Sequence, residues 1–129
     1  MDQHNWPVIL IVEDDEGQQW YYNDELERKS GGRIAFLKAH DLATAQQLFD
    51  QNSEQIDVIV VDGRLPKSHT IRNLTFSTEF VMNVRQTFKG PMIAASDMSA
   101  FNDKLMAAGC DHRVDGKSKV PDKVLELVQ

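Results

Sequence analysis

The chain has 129 residues, enough for one domain with its own core, and its 14 Lys and Arg against 20 Asp and Glu give a formal net charge of −6. That balance argues against a phosphate-backbone binder, whose affinity comes from clustered cations, and points instead to metal cations or other proteins. The longest apolar run, Val8 to Val12, is five residues and far short of a membrane span, and the single cysteine, Cys110, permits no internal disulfide and suits a reducing compartment. Met1 to Pro7 is polar and lacks a basic start followed by an apolar segment, so no secretory signal is expected and the cytoplasm is the expected location.

Val8-Ile9-Leu10-Ile11-Val12 reads as a strand buried on both faces, and it ends in Glu13-Asp14-Asp15-Glu16. Gly17 to Lys29 follows as a helix, with Trp20, Tyr21 and Leu26 as its apolar positions, and Ser30-Gly31-Gly32 stops it. Arg33 to Ala39 is a weaker strand with charges at both ends, which suits a sheet edge. His40-Asp41 caps a helix that runs to about Gln51 with Leu42, Ala45, Leu48 and Phe49 at helical spacing. Next come four β-branched residues in succession, Val58-Ile59-Val60-Val61, and the strand stops on Asp62-Gly63 with Pro66 just beyond. Lys67 to Ser77 is a polar, unpatterned loop, long for a strand-to-helix connection.

Thr78 to Phe88 resumes helical spacing, and Gly90-Pro91 leads into a short buried strand, Met92 to Ala95, that ends at Ser96-Asp97. A helix from about Ser99 to Ala108 stops at Gly109, and Asp111 to Asp115 is a weakly patterned fifth strand leading to Gly116-Lys117-Ser118. Pro121 opens a last helix with Val124, Leu125 and Val128 on one face. Alternation of this kind predicts an α/β fold: a five-stranded parallel doubly wound sheet in a three-layer αβα arrangement, over residues 1–129 as a single domain. The prior for its strand order is flavodoxin-like, 2-1-3-4-5, which makes the first and third strands neighbours at the switch point where open sheets bind ligands.

In that order Glu13 and Asp14 meet Asp62 at one edge, and Ser96 and Lys117 arrive from the fourth and fifth strands. Three gathered carboxylates repel one another unless a cation sits among them. Mg2+ suits such a site because it takes a few carboxylate oxygens, keeps some waters and leaves places for phosphate oxygens. A carboxylate beside it can attack a phosphoryl group and form an acyl phosphate, with a hydroxyl and an ammonium holding the transferred oxygens. The plainer readings stand alongside: Glu13-Asp14 as the acidic start of a helix, Ser96 as a helix cap and Lys117 as a surface lysine. His4, His40, His69 and His112 share no metal-ligand spacing, and Cys110 is most simply a small core residue.

The segments VILIVEDD at 8–15, VIVVDGRLP at 58–66, PMIAAS at 91–96, AAGCD at 107–111 and KSKVPDKVLELV at 117–128 together make the chain resemble the receiver domains of two-component response regulators over nearly its full length. The resemblance implies a phosphoprotein of phosphorelay signal transduction, not an enzyme in its own right although it assists its own phosphorylation and dephosphorylation. Asp62 is its phosphoacceptor, and Asp14, Asp62 and the backbone carbonyl of Arg64 bind Mg2+, with Glu13 reaching the metal through water. Ser96 is the hydroxyl that turns toward the phosphoryl group, and Lys117 pairs with its oxygens. A histidine kinase or phosphotransfer protein is the implied donor and a downstream protein the implied partner, with no nucleic acid or membrane bound directly.

Three features depart from the family pattern. Counted from Ala108-Gly109 the family's lysine falls on Gly116, whereas counted back from the last helix it falls on Lys117, which requires a one-residue insertion in the fifth strand. The aromatic residue the family often carries three positions earlier is replaced by Val114 or Arg113, and the loop from Lys67 to Phe76 is longer than usual. These departures keep a second reading open, a receiver-like partner-docking module uncoupled from phosphate. A haloacid-dehalogenase-type phosphohydrolase needs an Asp-x-Asp that Glu13-Asp14-Asp15-Glu16 does not supply. With no output domain in this sequence, the chain is expected to be a stand-alone receiver or a piece of a longer protein.

Overall fold

The fold is given by a computed structural model that describes residues 6–129; the readings of Met1 to Asn5, His4 included, lie outside the described residues. The elements in chain order are β1 (Val8–Val12), α1 (Glu16–Ser30), β2 (Ala35–Ala39), α2 (Leu42–Asn52), β3 (Val58–Val61), β4 (Arg64–Pro66), β5 (Leu74–Phe76), α3 (Thr78–Arg85), β6 (Met92–Ala94), α4 (Ser99–Ala108), β7 (His112–Arg113) and α5 (Val120–Val128), with a 3-10 turn at Lys117–Lys119 before the last helix. Among the described residues the main sheet is parallel with order β2-β1-β3-β6-β7. Leaving out β4 and β5, which form a separate antiparallel pair, this is the expected 2-1-3-4-5 order.

Successive residues of the central strands point to opposite faces, and each face has its own core. Leu10, Val12, Ile59 and Val61 pack with Phe49 of α2, Phe80 and Val84 of α3 and Leu105 of α4. Ile9, Ile11, Val58 and Val60 pack with Tyr22 and Leu26 of α1 and Val120 and Val124 of α5. The uninterrupted apolar runs thus follow from burial on both sides. β2 is an edge strand, as its charges suggested.

Local chemistry sets the helix ends. The Asp15 carboxylate accepts from Gln18 N at 2.7 Å to open α1, and Gly31, at φ 69°, closes it in the left-handed conformation that glycine adopts without strain. Asp41 opens α2 by accepting from Thr44 N at 2.7 Å. Along α1 the burial differs from expectation: Trp20 is 67% exposed, while Gln19, Tyr22 and Leu26 face the core. Gln19 is held inside because its Nε2 donates to the carbonyls of Ile11, Glu13 and Ala39, the ends of two adjacent strands.

The stretch expected to be an unpatterned loop holds the largest departure. Arg64–Pro66 pairs with Leu74–Phe76 as an antiparallel hairpin over the sheet's carboxyl edge. Leu65 is fully buried and anchors it, and Ser77 N donates to the Gly63 carbonyl at 3.0 Å at its base. Helix α3 ends at Arg85, three residues earlier than expected, because the Arg85 guanidinium bonds the carbonyls of Phe88, Gly90 and Gly109 and draws the chain into a turn. The fifth sheet strand is only His112–Arg113; before it, Asp111 bonds Met92 through both its N–H, donating to the Met92 carbonyl at 3.1 Å, and its carboxylate, accepting from Met92 N at 2.9 Å.

Candidate functional site

Parallel pairing brings the strand ends to one rim. Val12 pairs with Val61 and Val61 with Ala94, so Glu13, Asp62 and Ser96 leave the sheet near one another. One oxygen from each of Glu13, Asp14 and Asp62 lies within 4.8 Å of the other two. Lys117 reaches the same cluster, its Nζ donating to Glu13 Oε1 at 2.7 Å and lying 3.4 Å from Asp62 Oδ1. The backbone N of Lys117 donates to Asp97 Oδ1 at 3.0 Å, which ties the loop after β7 to the loop after β6. The register counted back from α5 therefore brings an ammonium to the carboxylates.

A cleft of about 250 Å³ opens over this group, lined by Asp14, Asp62, Arg64, Leu74, Ser96, Asp97, Met98, Phe101 and Lys117. Ser96 is buried at its wall, and its Oγ accepts from Met98 N at 3.0 Å while its N–H donates to Asn102 Oδ1 at 2.9 Å. The Asn102 amide in turn donates to the carbonyls of Ser96 and Val114, which clamps the ends of β6 and β7 together. Arg64 stands at the mouth with its guanidinium over the rings of Phe76 and Phe101, at 5.7 and 5.9 Å from their centroids. Val114 is buried and Arg113 pairs with Asp103, so neither substitutes for an aromatic residue at β7.

Three features of the site escape sequence reasoning. Ser77 Oγ donates to the Asp62 carbonyl at 2.6 Å, Asp97 holds Lys117, and Gln19 and Asn102 fix the strand ends. Each is a polar residue whose partner lies across a turn or on another element, from six to 20 positions away, and nothing in local spacing separates it from a solvated side chain.

Burial and mutual repulsion dominate the electrostatics of the cluster. Burial and then the Asp62 charge raise the Glu13 carboxyl to about 7, although Lys117 and the Asp15 N–H pull the other way. Burial also raises Asp62, opposed chiefly by Lys117 and the Gly63 N–H and aided by Asp14. Lys117 is lowered by burial but raised overall by its bond to Glu13 and the charge of Asp62. One ammonium does not balance three carboxylates at this depth, and an all-oxygen donor set of this kind matches a hard divalent cation.

No protein-family model matches the chain, and no curated protein matches it. Solved structures do. The Francisella response regulator 1452 receiver domain superposes with TM-score 0.73 at 21% identity, over 94% of this chain and 95% of its own. A response regulator receiver domain protein from Clostridium thermocellum gives 0.74 at 15%, over 95% and 94%. The chain has the receiver-domain fold. The receiver domain of the Saccharomyces cerevisiae response regulator Ssk1, solved with the histidine phosphotransfer protein Ypd1, gives 0.72 at 18% identity over 95% of this chain and 88% of its own. On this receiver fold the carboxylate cluster sits at the carboxyl edge of the sheet, beneath the β4–β5 hairpin. Among the described residues no helix is long and apolar enough to cross a membrane.

Proposed function

We propose that residues 1–129 act as one receiver unit in which Asp62 accepts a phosphoryl group from a phosphohistidine of a histidine kinase or phosphotransfer protein. The observation that carries this reading is the convergence of Glu13, Asp14 and Asp62 within 4.8 Å, with Lys117 reaching into the same cluster. The yeast neighbour's partner, a histidine phosphotransfer protein, is in keeping with such a donor. Asp14, Asp62 and the Arg64 carbonyl would hold Mg2+, with Glu13 behind them; bound there, the ion offsets the carboxylate charge and polarises the phosphoryl oxygens.

The chain's own groups account for the rest. Asp62 Oδ1 is fixed by the Gly63 N–H at 2.8 Å, which leaves the other carboxylate oxygen to attack phosphorus. The new P–O bond forms as the P–N bond to the donor imidazole breaks, and the ring nitrogen keeps the electron pair. Lys117 exchanges part of its contact with Glu13 and Asp62 for a phosphoryl oxygen, and Ser96 gives up Met98 N to donate its hydroxyl to another. Movement of Ser96 and Lys117 pulls on the loops before α4 and α5 and shifts the population of that face, which a downstream protein reads. A receiver of this kind works in the cytoplasm, where the free, buried Cys110 stays reduced.

The test is intact-mass spectrometry after incubation with acetyl phosphate or a phosphohistidine donor. A gain of one phosphoryl group is expected with magnesium, lost with chelator and lost in Asp62→Asn. No adduct, or an adduct that survives Asp62→Asn, overturns the reading.

A further inference from the structure

Between Asp62 and Glu79 the chain carries Arg64, Lys67, Arg72 and His69 and no acidic residue, although the whole chain has a formal net charge of −6. Arg64, Lys67, Arg72 and, on α4, Lys104 make no ion pair among the described residues, as is also true of Arg33, Lys38, Lys89 and Lys119; what sets this face apart is that its cations come with no acidic residue between positions 62 and 79. The hairpin segment carries Arg64, Lys67 and Arg72 together with exposed apolar side chains: Ile71 is 53% exposed, Leu74 46% and Phe76 38%, and Met98, just before α4, is 55%. The Phe76 ring lies edge-on to Phe101 at 5.2 Å, and both the Lys104 ammonium, at 5.2 Å, and the Arg64 guanidinium, at 5.7 Å, stand near its centroid. Scattered apolar residues on a surface need no explanation, but an apolar cluster flanked by Arg64 and Lys104 in an acid-free segment of an acidic molecule does.

We propose that the hairpin and the first turns of α4 form a docking surface for an acidic protein segment bearing apolar side chains. Its carboxylates would meet Arg64, Arg72 and Lys104, and its apolar side chains would cover Leu74, Phe76 and Met98. Leu74, Met98 and Arg64 also line the cleft over Asp62, so the docked segment closes the mouth of the site. The charge of the face selects the acidic partner, and the exposed rings and aliphatic chains demand an apolar component that a simple polyanion lacks.

The test uses the full chain without magnesium or phosphodonor, so its outcome is separate from that of the phosphoacceptor reading. A synthetic amphipathic peptide of Glu and Leu is titrated in, and backbone amides are followed by NMR. Saturable shifts confined to residues 64–76 and 98–104 are expected, weakening with salt. The double variant Arg72→Glu with Lys104→Glu and the single variant Leu74→Ser, each checked for retained fold by circular dichroism, should each weaken binding by about tenfold or more. Three results overturn the proposal: no saturable shift, equal binding of polyglutamate or of a Lys-Leu peptide, or sedimentation showing that a second copy of the chain occupies the face.

Discussion

Glu13 is a carboxylate 1% exposed to solvent, and it keeps its place because both of its oxygens are used, one by the Lys117 ammonium and one by the Asp15 N–H. Removing one partner of such a buried pair is more disruptive than the pair's net contribution, because the other charge is left without compensation. Cys110 responds to burial in the same direction, with less to offset it. It has no fixed charge to meet, and desolvation pushes its thiol from 9.0 up to about 12, with Arg85 only partly offsetting. Its thiolate fraction at pH 8 falls accordingly, and iodoacetamide labelling of the folded protein should be at least about a hundredfold slower than after unfolding, read by mass spectrometry. The sign for stability follows. The folded pKa lies above the unfolded one, so this thiol's contribution is fully present below pH 9 and is lost as pH rises from 9 towards 12.

At the scale of elements, the hairpin is joined to the site through Gly63. A Cβ at that position would lie 2.7 Å from Phe101 Cβ, closer than such atoms approach, so α4 sits directly on the chain that follows the central strand. Gly63→Ala should therefore cost about 1–3 kcal/mol, measured as a lower urea midpoint with an unchanged slope. Ser77 reinforces the junction from the other side through the Asp62 carbonyl. Because this contact is to the backbone of Asp62, displacement of the hairpin and displacement of the acidic rim are mechanically linked.

At the scale of the molecule, the central strands carry two cores, one on each face, and their parallel register carries the rim. Ile59 is fully buried in the middle strand, and Ile59→Ala should lower unfolding free energy by about 2–5 kcal/mol in chemical denaturation. The same variant should speed exchange of the slowest amides in β1, β3 and β6, whose protection reports opening of the whole sheet.

The buried strands were readable from their unbroken apolar runs, the start of α2 from Asp41, and the acidic strand ends from Glu13, Asp14 and Asp62, since each is encoded within a few neighbouring residues. The hairpin was not readable: its strands are three residues each, and Leu65, the residue that seats it, is a single apolar position in a polar stretch. Nor was the choice of Tyr22 over Trp20 for the core of α1, because three adjacent aromatics cannot share one helix face and only the neighbouring strands decide which turns inward. Side-chain periodicity is local and survives in the sequence. The pairing of Lys117 with Glu13 spans 104 positions and exists only once strand register has brought the two ends together.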